Sequence, residues 1–390
     1  MNYFLLSAKS IHSYLFVFYL IKKCGIAGDR LAIVFFDANS SADLLMDFPV
    51  DDVKIYFKSE AYSKETYRNV KSVTVSSLKP NNAEAIVRCV GSGYFSYENI
   101  LIRITDDEVD RWQKAYRQTG KLVEDKSMLI DGNVISVLNR VSRFLCLYQP
   151  WGKALQKMLG KKLDIVNVLV DANKFSDVEV EACYYGKIQP SMRSQLEKSK
   201  ALRVMLFTKP GASGPTFSYL FSFLFLLLTK SDALRSSVRC IEIYYWAPSF
   251  FRHPLHALLV FCINLFSKFS GLNVKTIKLS GMPPTLYYSF LSSCHVLIAQ
   301  DRGGLGAINE FFKSGGKVAV NSNSLNYQVF SGLEGLKFIS SGNKTNLLFY
   351  SIMSFKEDDF EAWSERSKEA KEFFKKHDAV AKKEFFKIYM

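Results

Sequence analysis

Residues 292–330 read SSCHVLIAQDRGGLGAINEFFKSGGKVAVNSNSLNYQVF, and this stretch decides the fold. Residues 295–299 are a short apolar run, the length of a buried parallel strand and too short for a helix. Residues 300–304 (QDRGG) interrupt it. From 306 to 313 the spacing is helical, with Ile308, Phe311 and Phe312 on one side and Glu310 on the other. Gly315 and Gly316 close that helix, since glycine takes a left-handed conformation without steric cost. Residues 317–321 form a second apolar strand. The unit therefore reads strand, glycine loop, helix, glycine turn, strand. Its loop lies at the carboxyl end of a strand, where open α/β sheets bind ligands. Gly303 and Gly304 allow backbone amides to approach an anion, the following helix offers its positive end, and Arg302 adds a fixed charge. The same Gly-Gly pair also serves purely steric needs in Rossmann-like units.

Working outward, 390 residues suit two domains or one large one. A hydrophobic content of 48% supplies a core and excludes a disordered chain. The formal net charge of +14 favours an acidic partner: a nucleotide sugar, an anionic lipid or a nucleic acid. Seven cysteines stand apart with no CxxC pair, which argues against a disulfide scaffold or a zinc site and suits a reducing compartment. The apolar run 14–21 is followed directly by Lys22 and Lys23 with no small-residue cleavage site, so it reads as a helix rather than an export signal. The runs 217–228 and 255–266 are shorter than the roughly 20 residues of a spanning helix. They read as buried helices of an α/β domain. The other reading is partial insertion into a membrane interface, aided by Lys230, Arg235, Arg252 and Lys268.

Strands are expected at 3–6, 31–36, 53–57, 70–75, 99–104 and 163–170. Helices are expected at 12–23, 81–90, 109–117, 134–146 and 153–159, with a break at 148–152. A polar segment, 184–200, reads as a linker. A second alternating pattern follows, with strands at 203–208, 240–246 and 274–279, the helix 255–269, the segment 292–330, and a last strand at 336–339. Alternation of this kind argues for parallel sheets with helices on their faces. The expected organisation is an N-terminal acceptor-binding Rossmann-like domain, 1–185, a C-terminal donor-binding domain, 200–355, and closing amphipathic helices over 356–390. Two Rossmann-like α/β domains facing a cleft are the layout of a GT-B glycosyltransferase.

The C-terminal half resembles the GT-B transferases that move Fuc4NAc from a TDP donor to a lipid-linked saccharide. Residues 203–216 (RVMLFTKPGASGPT) stand where that family has a Gly-Asn-Ser-Gly-type loop at the start of its donor domain. Residues 285–330 match in order and spacing its helix, apolar strand, Arg/Gln/Gly loop and helix. Asn326, Tyr327 and Gln328 fall where the family has an aromatic-Gln segment. The asparagine of the first loop is replaced around Lys209-Pro210, and a Pro-Phe-Trp is missing. The N-terminal half corresponds only in layout. The resemblance implies a glycosyltransferase of hexosyltransferase type, inverting and without a cofactor, with a nucleotide-diphosphate sugar as donor. Its acceptor would be a lipid-linked or growing surface polysaccharide such as capsule or O-antigen. It would be a bacterial, cytoplasmic enzyme, peripheral on the inner face of the membrane.

Such a transfer needs a base and a stabilised leaving diphosphate. Without a metal, backbone amides, a helix dipole and Lys or Arg must hold the diphosphate. Lys209, Gly211, Ser213, Thr216, Arg302, Gly303 and Gly304 fit that role. Glu310, Asn326, Tyr327 and Gln328 are candidates for donor-sugar or diphosphate contact, with a solvated helix face or plain loop as the bland readings. The loop near Gly281 and Met282 is expected at the nucleobase. No Asp-x-Asp stands clearly at a strand end, so no metal is expected, although Asp106 and Asp107 are adjacent. Those two aspartates follow an apolar strand and are candidate bases, but Thr105-Asp106-Asp107-Glu108 is also a good helix cap. His12 is the rival base. The alternative class is another two-domain nucleotide-binding enzyme, such as a nucleotide-sugar epimerase or an NAD enzyme, but no GxGxxG occurs near the N-terminus. Nucleic-acid binding ranks last, because the basic residues are spread without a known module.

Overall fold

The computed structural model of the chain describes residues 1–8, 11–44, 52–104, 108–168, 201–208, 213–246, 253–279, 287, 290–357 and 360–390. The chain divides into two compact units, one of residues 1–174 with 375–390, the other of residues 175–374.

The first unit is built on a seven-stranded parallel sheet. Its strands are β1 (Asn2–Leu6), β2 (Leu31–Phe35), β3 (Lys54–Tyr56), β4 (Ser72–Ser76), β5 (Ile100–Arg103), β6 (Arg143–Cys146) and β7 (Asp164–Asn167), in the order β3-β2-β1-β4-β5-β6-β7. Strands β1, β2, β4 and β5 are buried throughout, as expected of parallel strands covered on both faces. The helices are α1 (Ile11–Lys22), α2 (Pro80–Gly91), α3 (Glu108–Thr119), α4 (Gly132–Arg140) and α5 (Gln149–Leu159).

Two expectations need correction here. Residues 134–146 are not one helix: α4 ends at Arg140, Val141 turns extended, and β6 follows with Phe144, Leu145 and Cys146 fully buried. A short apolar run buried on both faces carries no period that separates strand from helix. The break expected at 148–152 is instead the start of α5, with Pro150 in its first turn, where a missing N–H costs nothing.

The second unit carries six parallel strands: β8 (Ala201–Leu206), β9 (Cys240–Trp246), β10 (Asn273–Leu279), β11 (Val296–Ile298), β12 (Lys317–Asn321) and β13 (Ile339–Ser341). Their order is β10-β9-β8-β11-β12-β13. Helices α6 (Ser213–Ser237), α7 (His253–Ser270), α8 (Leu305–Lys313), α9 (Leu325–Ser331) and α10 (Lys344–Met353) cover it. The core joins Leu202, Val204 and Leu206 of β8 to Tyr219, Phe223 and Leu227 of α6 and Ile263 of α7. Helix α6 continues past the apolar run and bends at Lys230, where the backbone leaves helical geometry.

The segment expected to close the chain over 356–390 is one helix, α11 (Phe360–Tyr389), whose residues divide between the units. Its first half secures α8. The Ser367 hydroxyl donates to the Lys313 carbonyl at 2.6 Å, Arg366 Nε to the Gly315 carbonyl at 3.0 Å, and Trp363 Nε1 to the Ser314 carbonyl. The last carbonyls of a helix have no partner of their own, and here side chains supply them. Gly315 has φ +86°, and a Cβ there would collide with Trp363. The last turns of α11 enter the first unit. Phe385 and Tyr389 pack on Phe4 and Phe16, and the Tyr389 hydroxyl lies 3.0 Å from the Thr74 hydroxyl.

His295 stands at the amino end of β11. Its Nδ1 accepts the Arg203 amide N–H at 3.0 Å, and its ring meets Phe355 and Trp363 edge-on. Burial, with Arg203 and Lys317 nearby, pushes its pKa down from 6.5 to about 3. Between those values the unfolded chain binds the proton and the folded chain does not. Stability therefore falls as pH drops below about 6.5, by at most roughly 1.4 kcal/mol per pH unit. We expect His295→Gln to flatten the slope of the urea midpoint between those two pH values. An unchanged slope would place the acid sensitivity elsewhere.

Candidate functional site

The strand order of the second unit reverses direction between β8 and β11. Crevices at the carboxyl ends of strands flanking such a reversal are where open α/β sheets take ligands. The two loops singled out in the sequence, after 203–208 and after 295–299, follow these two strands, which pair with each other in register.

The junction is built by side-chain amides. Gln300 is buried. Its Oε1 accepts the Thr208 amide N–H at 3.1 Å, and its Nε2 donates to the Thr208 hydroxyl and the Gly303 carbonyl, both at 2.7 Å. Asn326, also buried, donates from Nδ2 to the carbonyls of Gln300 at 2.8 Å and Gly303 at 3.0 Å. Gly303 and Gly304 both adopt left-handed φ, +71° and +72°. A Cβ at Gly304 would occupy the space of the Gln300 amide and the Thr208 hydroxyl. Glycine is required there by conformation and by crowding together.

Phe207 closes β8 with φ +66°, a strained conformation for a bulky residue. Its surroundings hold it there. Its N–H donates to Ile298, its carbonyl accepts Trp246 Nε1–H at 3.2 Å, and its ring packs edge-on against Tyr219. The Tyr287 hydroxyl donates to the next carbonyl, that of Thr208.

Helix α8 begins directly after this loop. Gly304 is its N-cap and contributes no side-chain hydrogen bond. The first-turn residues Gly306 and Ala307 are small and half-exposed, so no side chain of theirs screens the positive end of the helix. Arg302 is exposed beside it.

The remaining expected residues fall as follows. Thr216 is buried in the first turn of α6, whereas Ser213 lies on described backbone with its side chain outside the described residues. Lys209 and Gly211 lie outside the described residues, as do Gly281 and Met282, Asp106 and Asp107, and the linker 184–200. His12 is on α1, with its side chain likewise outside. Glu310 pairs with Lys313 at 2.8 Å. Asn326, Tyr327 and Gln328 are not a loop: they lie on α9, capped by the Ser324 hydroxyl accepting the Tyr327 N–H. Asn326 supports the glycine loop, the Tyr327 ring packs on Phe338, and Gln328 is exposed.

Sequence reading missed Gln300, Thr208 and Lys344. Lys344 opens α10, after β13, and so stands at the same carboxyl edge. Its Nζ donates to the Ser218 hydroxyl of α6 at 3.0 Å and sits 5.5 Å from the Tyr219 ring centre. The Tyr219 hydroxyl is buried without a hydrogen-bond partner among the described residues. Burial, with Asp301 nearby, raises its pKa. In the first unit, Ser76 and Arg103 are register partners at the carboxyl ends of β4 and β5. Ser76 Oγ and Arg103 Nε and Nη1 are buried without hydrogen-bond partners among the described residues. Arg103 stacks over the Phe16 ring at 4.3 Å, and burial lowers its pKa to about 10.

Comparison with solved structures places this architecture. The trehalose-6-phosphate synthase of Burkholderia multivorans matches with TM-score 0.60 at 9% identity, over 100% of this chain and 97% of that one. The E. coli trehalose-6-phosphate protein bound with UDP-2-fluoro glucose matches at 0.56 and 7%, over 97% and 99%. The UDP-forming synthase of Burkholderia xenovorans in complex with glucose-6-phosphate matches at 0.54 and 11%, over 85% and 77%. The chain has the GT-B fold. No protein-family model and no curated protein matches the sequence.

The Gln300 amide is the test of this construction. Gln300→Leu would leave the buried Thr208 N–H without its partner and the Gly303 carbonyl with Asn326 alone. An unmade buried hydrogen bond costs about 1–3 kcal/mol. Urea unfolding is expected to show a loss of that order, and a loss well under it would mean the two loops are held by other contacts.

Proposed function

We propose that the chain is a glycosyltransferase whose second unit binds a nucleotide-diphosphate sugar at the β8/β11 reversal. The observation that carries this is the joining of Thr208, just after β8, to the loop 300–304 by Gln300, with two left-handed glycines leading into a helix end that has no side-chain cap. Arg302 and Lys344 supply fixed positive charge at the same carboxyl edge. Such an arrangement suits a leaving diphosphate, whose charge grows as the glycosidic bond breaks. GT-B neighbours determined with UDP-2-fluoro glucose and with glucose-6-phosphate support the class of reaction.

The finer reading rests on the resemblance to the Fuc4NAc transferases. On it, the acceptor is a lipid-linked or growing surface polysaccharide, and the enzyme works on the cytoplasmic face of a bacterial inner membrane; the lack of a clear Asp-x-Asp at a strand end is the ground for proposing that it does so without metal. The proposed base is Asp106 or Asp107, with His12 as rival, so the acceptor belongs to the first unit. We propose inversion on the same resemblance. A trehalose-6-phosphate synthase of this fold is described for transfer with retention, so the anomeric configuration of the product, read by NMR, separates the two courses.

The test is calorimetric titration with UDP, TDP, GDP, ADP and CMP, with and without EDTA. One diphosphate is expected to bind selectively, with EDTA making no difference. Arg302→Ala and Lys344→Ala should each weaken it by about tenfold, the scale of one charge-assisted hydrogen bond. Binding of none of them, with a response to NAD instead, would favour another two-domain enzyme of the epimerase or dehydrogenase kind.

A further inference from the structure

The two very apolar runs of the sequence were expected to be buried helices. Only one face of each is. On α6, Tyr219, Leu220, Phe223, Leu226 and Leu227 pack inward, while Phe221, Phe225 and Leu228, at helical spacing, are 57%, 51% and 54% exposed. On α7, Leu259 and Ile263 pack inward, while Leu255, Leu258, Phe261 and Phe269 are 59–79% exposed. The two helices pack side by side, so their outer faces form one surface. At roughly 150–250 Å² per aromatic side chain, Phe221, Phe225, Phe261 and Phe269 alone leave on the order of 400–600 Å² in water. That already equals the largest apolar patch of an ordinary monomer, about 300–600 Å², before the leucines are added.

By length and composition, residues Thr216–Ser237 could cross a membrane. Their inner face is already committed to the sheet, so the helix has only its outer face to offer. A helix that is apolar outward and anchored inward suits the plane of a bilayer surface, not a crossing of it.

The charges select the occupant. Residues 213–279 contain seven Lys and Arg against two acids, Asp232 and Glu242. Both acids are paired, with Arg235 at 3.2 Å and Arg203 at 3.0 Å. Lys230, Arg235, Arg239 and Lys268 are all exposed. They gather where α6 and α7 end, and the Arg235 guanidinium reaches the Gly271 turn that follows α7. A second copy of this chain would bring one such basic rim against another. An anionic lipid surface is complementary to both the apolar face and its rim.

We propose that the outer face of α6 and α7 is a docking surface for an anionic phospholipid bilayer, laid on the headgroup–acyl boundary with the basic helix ends among the headgroups. This gives the membrane contact of the proposed function a place in the donor-binding unit. It rests on that reading only for its purpose, because exposure and charge carry it alone.

The experiment is co-sedimentation of the full chain with phosphatidylcholine vesicles, with and without phosphatidylglycerol. Nucleotide binding and thermal unfolding are measured on the same samples. The native chain is expected to sediment with the anionic vesicles and to be released in part by salt. Phe225→Glu/Phe261→Glu should lower partition by about tenfold or more while leaving melting and nucleotide binding unchanged. Lys230→Glu/Lys268→Glu should abolish the preference for phosphatidylglycerol. Undiminished partition of the phenylalanine variant, or no vesicle binding by the native chain, overturns the proposal. So does a concentration-dependent dimer, indifferent to vesicles, that the phenylalanine variant dissolves. Loss of nucleotide binding in the native chain would overturn the donor reading and leave this one standing.

Discussion

The second unit depends on one buried carboxamide. Gln300 joins the segments that leave β8 and β11 at their carboxyl ends by accepting from Thr208 and donating to Thr208 and Gly303. Where the order of a parallel sheet reverses, the connections leave to opposite faces and a crevice opens beyond the carboxyl ends of the two strands. The opening exposes backbone groups that need partners in a place where no strand supplies them. Gln300 and Asn326 supply them from side chains, and in doing so fix Thr208 and the loop 300–304 at hydrogen-bond precision. The left-handed turn at Gly303 and Gly304 follows from this. There is room beside the amide for glycine and for nothing larger. The strain at Phe207 belongs to the same junction, held by a strand on either side.

Helix α8 is fixed at both ends by this logic. The glycine loop sets where it starts. Trp363, Arg366 and Ser367 of α11 take up its final carbonyls. A helix held at both ends with no side-chain cap at its positive end suits the proposed diphosphate, because preorganisation is what makes such dipoles effective. The chain thus places polar side chains at the carboxyl end of α8 and in the loop before it, and leaves the amino end of the helix without a side-chain cap.

Much of this was legible in the sequence. The helix after the first glycine pair, the glycine turn that closes it and the strand at 317–321 appear as read, because a period of 3.6 bounded by glycines admits few alternatives. Strand β6 was not legible, since three buried apolar residues after a helix carry no period of their own. Helix α9 was missed because seven residues are too few for a period, although Ser324 is an ordinary cap. Gln300 was invisible for another reason: its partner Thr208 lies ninety-two positions away, and only sheet order brings them together. The outer faces of α6 and α7 were misread because a helix apolar on all sides normally implies burial on all sides. Here one face builds the core and the other meets the surroundings.

The central claim is that the open end of α8 and the loop before it hold the diphosphate. Amide hydrogen exchange with and without the diphosphate that binds tests it most directly. The account predicts new protection at residues 303–307 and at the first turn of α6, with the amino ends of the strands unchanged. Tight binding that leaves 303–307 exchanging as before, with protection elsewhere in the chain, would contradict it.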